Sequence, residues 1–440
     1  MPKNPPHAPV GAQVSQLARA ADELAQVVEG VAQRLGRLEQ RAFGEDLAHL
    51  SRRVRKRPLV LFFGRRHFAD NSKYLYLHAL ARPRGYDVLW CTLEDDLAAT
   101  LERHGLPHLH LNRDPDASID VLLHAAAAVF TVNPHESVGG SFAFRGALAG
   151  ATQLQLWHGV SVKHLTLQLL PHLGTRQEPL RDPWVASSSV DAVLSTSPDL
   201  DAYWREVFGV PQLVRAGQPR NEVLLRDATP TELVGADLPA RTMAALQTPD
   251  PAVLVVPTWQ RGRTTPLTER RFLEQMVEFG TRHGVTMVYK PHPVYLPVAL
   301  AELQVDRLHV LDPGIDVYPW MFRFGALVTD YSSILFDFLL TGNPVLTVEL
   351  GEHQSFEPDF GLVPPGLPTT PFAPEAFAAT LATALAGDGR REERLAYARR
   401  VFASDPARAC ADLVPFLDEA VARSQRPDHA VWAPGGAERV

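Results

Sequence analysis

The sequence predicts an α/β chain of two consecutive, doubly wound parallel-sheet units behind an N-terminal helix. Short apolar runs alternate with helical stretches at intervals of roughly 25 to 40 residues, the spacing of βαβ units. A polar, proline-marked stretch at 227–250 (DATPTELVGADLPARTMAALQTPD) breaks that rhythm, which then restarts. The length of 440 residues exceeds one compact core, since a domain takes roughly 100–200 residues. The expected boundaries are a helix or coiled coil at 10–57, a first unit at 58–240 and a second at 250–425.

In chain order, Val14, Leu17, Ala21, Leu24, Val28, Val31, Leu35, Leu38 and Ala42 follow alternating steps of three and four, an a/d seam. Gly30 and Gly36 interrupt it, each costing about 1 kcal/mol relative to Ala. Two readings stand: an amphipathic helix lying on the next domain, or a short coiled coil that makes the protein a homo-oligomer. The basic stretch 52–57 (RRVRKR) reads as a solvated hinge or as a patch for anionic lipid headgroups. Runs at 59–63, 86–91, 127–132, 154–157 and 192–195 read as buried strands of the first unit. Those at 252–256, 286–290, 308–311, 326–329 and 344–348 read as strands of the second. The tail from about Arg426 is rich in Pro and Gly and reads as loose.

Composition narrows the function. An apolar fraction of 45% with 21% charged residues is globular and excludes wholesale disorder. Lys+Arg 43 against Asp+Glu 50 gives a net charge of −7, so no whole-chain basic footprint for nucleic acid exists. The only cysteines, Cys91 and Cys410, stand far apart in sequence. That excludes a disulfide framework and a cysteine-based zinc site, and it suits a reducing cytoplasm. The opening MPKNPPHAPV is polar and proline-rich, so no signal peptide is expected there. The longest near-apolar run, 121–132, contains His124 and is too short to span a bilayer. A cytoplasmic protein with at most peripheral membrane contact is expected.

In doubly wound sheets ligands bind outside the carboxyl ends of the strands, and five strand ends here carry unusual chemistry. The first is Leu156-Trp157-His158-Gly159, with Lys163 and His164 beyond. The glycine permits a tight turn that puts an imidazole at the ligand edge, and Lys163 adds a charge suited to phosphate. A structural histidine is the alternative. The second, Ala216-Gly217-Gln218-Pro219-Arg220-Asn221, sets Arg220 and Asn221 near a helix start, where they fix a phosphate or merely cap the helix. The third, Val256-Pro257-Thr258-Trp259, leads to Arg261 and Arg263; a surface turn with solvated arginines is the plainer reading. In the fourth, Tyr289-Lys290-Pro291-His292-Pro293, flanking prolines stiffen the backbone and aim the imidazole. The fifth, Thr329-Asp330-Tyr331-Ser332-Ser333 with Phe336 and Asp337 following, runs a strand into a helix. Hydroxyls and N–H groups at that helix start suit an anion, although ordinary capping would need one serine.

Together and in this order, the five elements resemble the CDP-glycerol glycerophosphotransferases, the teichoic acid and capsule polymerases and primases of bacteria. That family carries Trp-His-Gly-Thr-Pro-x-Lys, Gly-Tyr-Pro-Arg-Asn-Asp, Pro-Thr-Trp-Arg, His-Pro and Asp-Tyr-Ser-Ser motifs, the last followed by Phe-Asp. The sequence departs from them at Val160 and Ser161, at Gln218, and at Gln260, where the arginine comes one place later as Arg261. These departures bear on the acceptor and the polyol more than on the reaction class.

The resemblance implies a GT-B fold, two Rossmann-like domains facing a cleft, with 58–240 serving the acceptor and 250–425 the CDP donor. It implies transfer of glycerol or ribitol phosphate from a CDP-polyol to a hydroxyl of a lipid-linked or glycan acceptor, with CMP released. It places the protein at the inner face of the membrane and calls for no metal or other cofactor; no HExxH motif, Cys cluster or Asp-x-Asp triplet stands at a strand end. His158 and His292 are implied as catalytic, with His158, at the family's essential position, a natural base. Gly159, Lys163, Arg220, Asn221, Thr258, Asp330, Ser332 and Ser333 are implied at the donor and its phosphates. The same scaffold hosts glycosyltransferases using CMP- or UDP-sugars and nucleotide-sugar 2-epimerases, and a non-catalytic scaffold is the remaining alternative.

Overall fold

A computed structural model describes residues 10–162, 190–208, 212–258, 265–292, 306–351 and 359–426. The first sheet is built from β1 (Arg57–Phe63), β2 (Asp87–Thr92), β3 (His108–His110), β4 (Ala125–Phe130), β5 (Thr152–Gln155), β6 (Ala192–Ser195) and β7 (Gln212–Arg215). Its order is β3-β2-β1-β4-β5-β6-β7, all parallel. The second sheet holds β8 (Ala252–Val256), β9 (Thr286–Tyr289), β10 (Leu308–Val310), β11 (Ala326–Thr329), β12 (Val345–Val348) and β13 (Thr370–Phe372). Its order is β10-β9-β8-β11-β12-β13, also parallel. In each sheet the chain winds outward one way and then resumes on the other side of its first strand. The switch points are therefore the crevices between β1 and β4 and between β8 and β11.

The central strands answer to simple burial. In β1 the five residues Leu59–Phe63 are buried, and every residue of β4 (AAAAVF) is buried. Alanine is a poor strand former, but β4 runs mid-sheet, and its small side chains admit the Ala409–Ser424 helix, which packs on β1, β4 and the Asp70–Leu80 helix. That terminal helix, expected in the second unit, thus lies on the first. Arg84 reaches Asp418 at 3.2 Å and the Gln425 amide donates to the Lys56 carbonyl at 3.1 Å.

The N-terminal helix runs from Val10 to Ser51. Its end lies on the first unit: Leu47, Ala48 and Ser51 are buried, and Ser51 Oγ donates to Ala147 O at 2.6 Å. The helix crosses Phe142–Ala147 at a pair of glycines, where a Cβ on Gly146 would stand 2.0 Å from Gly44 O. Upstream, Val28, Val31, Leu35 and Leu38 keep 50–61% of their surface exposed. The packed-helix reading therefore holds for the last two turns and leaves Val28, Val31, Leu35 and Leu38 without cover.

Within 52–57 the hinge reading needs a correction. Arg52, Arg53, Arg55 and Arg57 are exposed, but Lys56 is buried and donates to Leu123 O at 2.6 Å and to Ser51 Oγ at 3.1 Å. Burial lowers its pKa to about 7. This lysine is an anchor between the helix end and the sheet, not part of a solvated patch.

Candidate functional site between the two units

The carboxyl end of β5 lies beside that of β4, next to the first switch point. Gln155 Oε1 accepts from Trp157 N at 2.9 Å, which turns the chain sharply, with Trp157 at φ 56°. A positive φ is rare for a bulky residue. The turn delivers His158 beneath the indole, ring centroids 4.3 Å apart, with Nδ1 3.3 Å from the Thr131 carbonyl. A carbonyl only accepts, so Nδ1 carries the proton in the neutral ring and the lone pair lies on Nε2.

The His158 carbonyl is gripped from both sides. Arg220 Nη1 of the first unit donates to it at 3.1 Å, and Ser333 Oγ of the second donates at 3.2 Å. Between them Gly159 sits at φ 127°, where a Cβ would stand 2.7 Å from both Arg220 Nη2 and Ser333 Oγ. No other residue type fits that position without displacing one of the two.

Arg220 is the hub of this contact. Its guanidinium pairs with Asp70 Oδ1 at 2.7 Å and with Asp337 Oδ2 of the second unit at 2.6 Å, and it lies 4.6 Å over the Tyr318 ring. Tyr318 donates to the same Asp337 oxygen at 2.8 Å. Burial by itself would lower the arginine's pKa, but Asp337, Tyr318 and Asp70 raise it above its ordinary value. Read from sequence as a phosphate partner, Arg220 spends both terminal nitrogens on carboxylates and the His158 carbonyl. Asn221 is fully buried beside Asp337.

The other expected residues fall as follows. Thr258 and Asp330 follow β8 and β11, the two sides of the second switch point, and pair with each other: Thr258 N donates to Asp330 Oδ2 at 2.9 Å and its hydroxyl donates to Oδ1. Ser333 precedes the short Ile334–Phe338 helix without a side-chain capping bond, so ordinary capping does not account for its hydroxyl. Ser332 and His292 are half-buried at the same sheet edge. Beside His292, Lys290 donates to Pro313 O at 2.8 Å, and burial lowers its pKa to about 8. A cavity of about 340 Å³ opens instead past the carboxyl ends of β12 and β13, lined among others by Phe272, Glu349 and Glu375 and by none of these site residues. Lys163, His164, Trp259, Arg261 and Arg263 lie outside the described residues.

Several participants were missed by the sequence reading. Asp70 (φ 69°) and Trp157 are the positive-φ non-glycine residues among those described, and Asn71 links them, accepting from Arg220 N at 3.3 Å and donating to Trp157 O at 2.9 Å. Asp316 of the second unit takes Lys73 Nζ at 2.8 Å and Tyr74 Oη at 2.6 Å from the first. The available signal was the polar run Asp70-Asn71-Ser72-Lys73 at a helix start one turn of chain after β1. Further bonds between the units join Ala403 N to Thr196 O at 2.8 Å and Asp359 N to Val162 O at 2.7 Å.

Two parallel-sheet units closing on a histidine-bearing cleft define a GT-B-type protein. A family model for CDP-glycerol:poly(glycerophosphate) glycerophosphotransferases matches residues 47–366. The chain belongs to that family. A teichoic acid glycerol-phosphate transferase of Staphylococcus aureus (strain NCTC 8325 / PS 47) is 24% identical over 202 residues, 44% of this chain and 51% of the relative. The match thus spans about half the length of that curated relative. The solved structure of the wall teichoic acid polymerase TagF has a TM-score of 0.65 at 15% identity, covering 92% of this chain and 99% of that one. A UDP-N-acetylglucosamine 2-epimerase has a TM-score of 0.51 at 14% identity, covering 84% and 98%. Both structural likenesses are likenesses of fold. No helix among the described residues is long and apolar enough to cross a membrane.

Proposed function

We propose that this protein transfers a polyol phosphate, from CDP-glycerol or CDP-ribitol, to a hydroxyl of a lipid-linked or glycan acceptor, releasing CMP, in synthesis of a teichoic-acid-like or capsule polymer. The observation that supports this reading is the hydrogen bond from Ser333 to the His158 carbonyl, which sets the His158 turn of one unit against the Ser332–Ser333 turn of the other. In the reaction His158 Nε2 takes the proton of the acceptor hydroxyl, its oxygen attacks the polyol-linked phosphorus, and the bond to the CMP oxygen breaks. His292, Ser332 and Lys163 meet the pyrophosphate as charge builds on it. Arg220 acts by holding the His158 main chain, and the Thr258–Asp330 pair with Asn221 shapes the donor edge. The exposed arginines at 52, 53, 55 and 57 offer the membrane face its anionic-lipid contact.

A donor panel of CDP-glycerol, CDP-ribitol, CMP-sugars and UDP-sugars, with an acceptor-bearing membrane fraction, tests the reading through the nucleotide released. CMP from a CDP-polyol is the expected product. UDP or CMP released from a sugar donor, with nothing from either CDP-polyol, overturns it.

We also propose that the exposed seam pairs with a second copy of the chain. With Val28 and Leu35 at a positions and Val31 and Leu38 at d, Arg34 falls at g and Glu39 at e, the spacing of an interhelical ion pair in a parallel dimer. Leu35→Lys with Leu38→Lys is expected to halve the solution mass measured by light scattering. A wild type already at one-chain mass, or a variant mass equal to that of a dimeric wild type, contradicts the pairing.

A further inference from the structure

Behind the Arg220 turn, three segments distant in sequence bring together a histidine, a glutamate and a cysteine. His78 lies in the last turn of the Asp70–Leu80 helix, Glu222 in the Pro219–Leu224 turn and Cys410 at the start of the Ala409–Ser424 helix. One ligand atom from each lies within 4.8 Å of the others. Glu222 and Cys410 are 8% and 1% exposed, and Glu222 Oε1 accepts from Cys410 N at 2.7 Å. His78 Nε2 is buried and has no hydrogen-bond partner, a costly state for a ring nitrogen unless something else takes its lone pair.

We propose that His78, Glu222 and Cys410 form a binding site for a zinc-class divalent cation. Thiolate, imidazole and carboxylate in one set suit a borderline ion in tetrahedral geometry, with water as the fourth ligand. At metal–ligand distances of about 2.0–2.3 Å the three atoms would have to close by roughly 1 Å. The charges balance, because a dication with one thiolate, one carboxylate and a neutral imidazole is neutral, as a buried site requires. Binding breaks the Cys410 S–H bond, forms the sulfur–metal bond and releases one proton to solvent. Arg226, 3.8 Å from Glu222, is no strong competitor for that carboxylate, since Glu232 already pairs with it through both oxygens at 2.6 and 2.8 Å.

The family resemblance implied no metal, the two cysteines far apart excluded a cysteine-based zinc site, and no ligand motif stands at a strand end. This set contains one cysteine and is assembled only by the terminal helix folding back onto the first unit. A cation here ties that helix to the turn bearing Arg220 and Asn221, the two residues before Glu222.

Titration of the chelator-treated full chain with Co²⁺ tests the proposal. We expect one equivalent to bind with visible bands of a tetrahedral ion and a near-ultraviolet thiolate-to-cobalt band. Since the chain has two cysteines, the band is assignable: Cys410→Ser abolishes it and Cys91→Ser keeps it. His78→Ala, which leaves both thiols in place, is expected to weaken binding at least about tenfold. A wild type that binds no Co²⁺, or a thiolate band that survives Cys410→Ser, or unchanged affinity in His78→Ala, overturns the site.

Discussion

His158→Ala is expected to lower kcat by about 10²–10⁴-fold, the contribution of a positioned general base, while CDP affinity stays near that of the wild type. The tautomer fixed by Thr131 O puts the lone pair on Nε2, and the ring's main chain is held by Arg220 and Ser333. Alanine keeps those main-chain contacts, so the loss falls on proton transfer and not on the architecture of the cleft. His292→Ala differs, because its assigned partner is the donor pyrophosphate: it loses CDP affinity as well as rate. Steady-state kinetics with calorimetric CDP binding separates the two. Near-normal turnover by a folded His158→Ala protein would transfer the base role to His292.

Arg220→Ala is expected to cost about 3–5 kcal/mol of stability, the penalty for leaving a buried charge without its partner. Asp337 is 1% exposed and Asp70 faces the same guanidinium, so removing the arginine leaves two carboxylates near one another with one cation gone. The stacking on Tyr318 is lost as well. Arg220→Lys recovers only part of this, since a single ammonium cannot reach Asp70, Asp337 and the His158 carbonyl together. Denaturant unfolding of the two variants beside the wild type measures the effect. A loss below about 1 kcal/mol, as for an exposed pair, would contradict the role of Arg220 as the joint between the units.

The parts of this molecule legible in sequence are those with a one-dimensional signature. The apolar runs of β1, β4, β8 and β11 are buried on both faces, so periodicity found them within a residue or two. The edge strands β3 and β13 lacked that signature: β3 is three residues with two histidines, and β13 contains a proline. The site's turns were legible because Gly, Pro, His and Ser stand at strand ends. Which of those side chains face one another was not, because Arg220 and Asp337 lie far apart in the chain and meet only when the units close. Asp70 and Asn71 offered only a polar run at a helix start and Tyr318 no pattern at all, and their role follows from three-dimensional contact with Arg220. Lys56 shows the same limit, since five basic residues within the six positions 52–57 concealed one buried anchor.

The central claim is transfer at phosphorus, and tracing the two phosphates of CDP-glycerol tests it most directly. Donor labelled with ³²P at the glycerol-linked phosphate is incubated with the protein and an acceptor-bearing membrane fraction, and the acceptor and the released nucleotide are then separated. The account predicts label in the acceptor and unlabelled CMP in solution, with both lost in His158→Ala. Label leaving in CDP, with the polyol transferred bare, would contradict it.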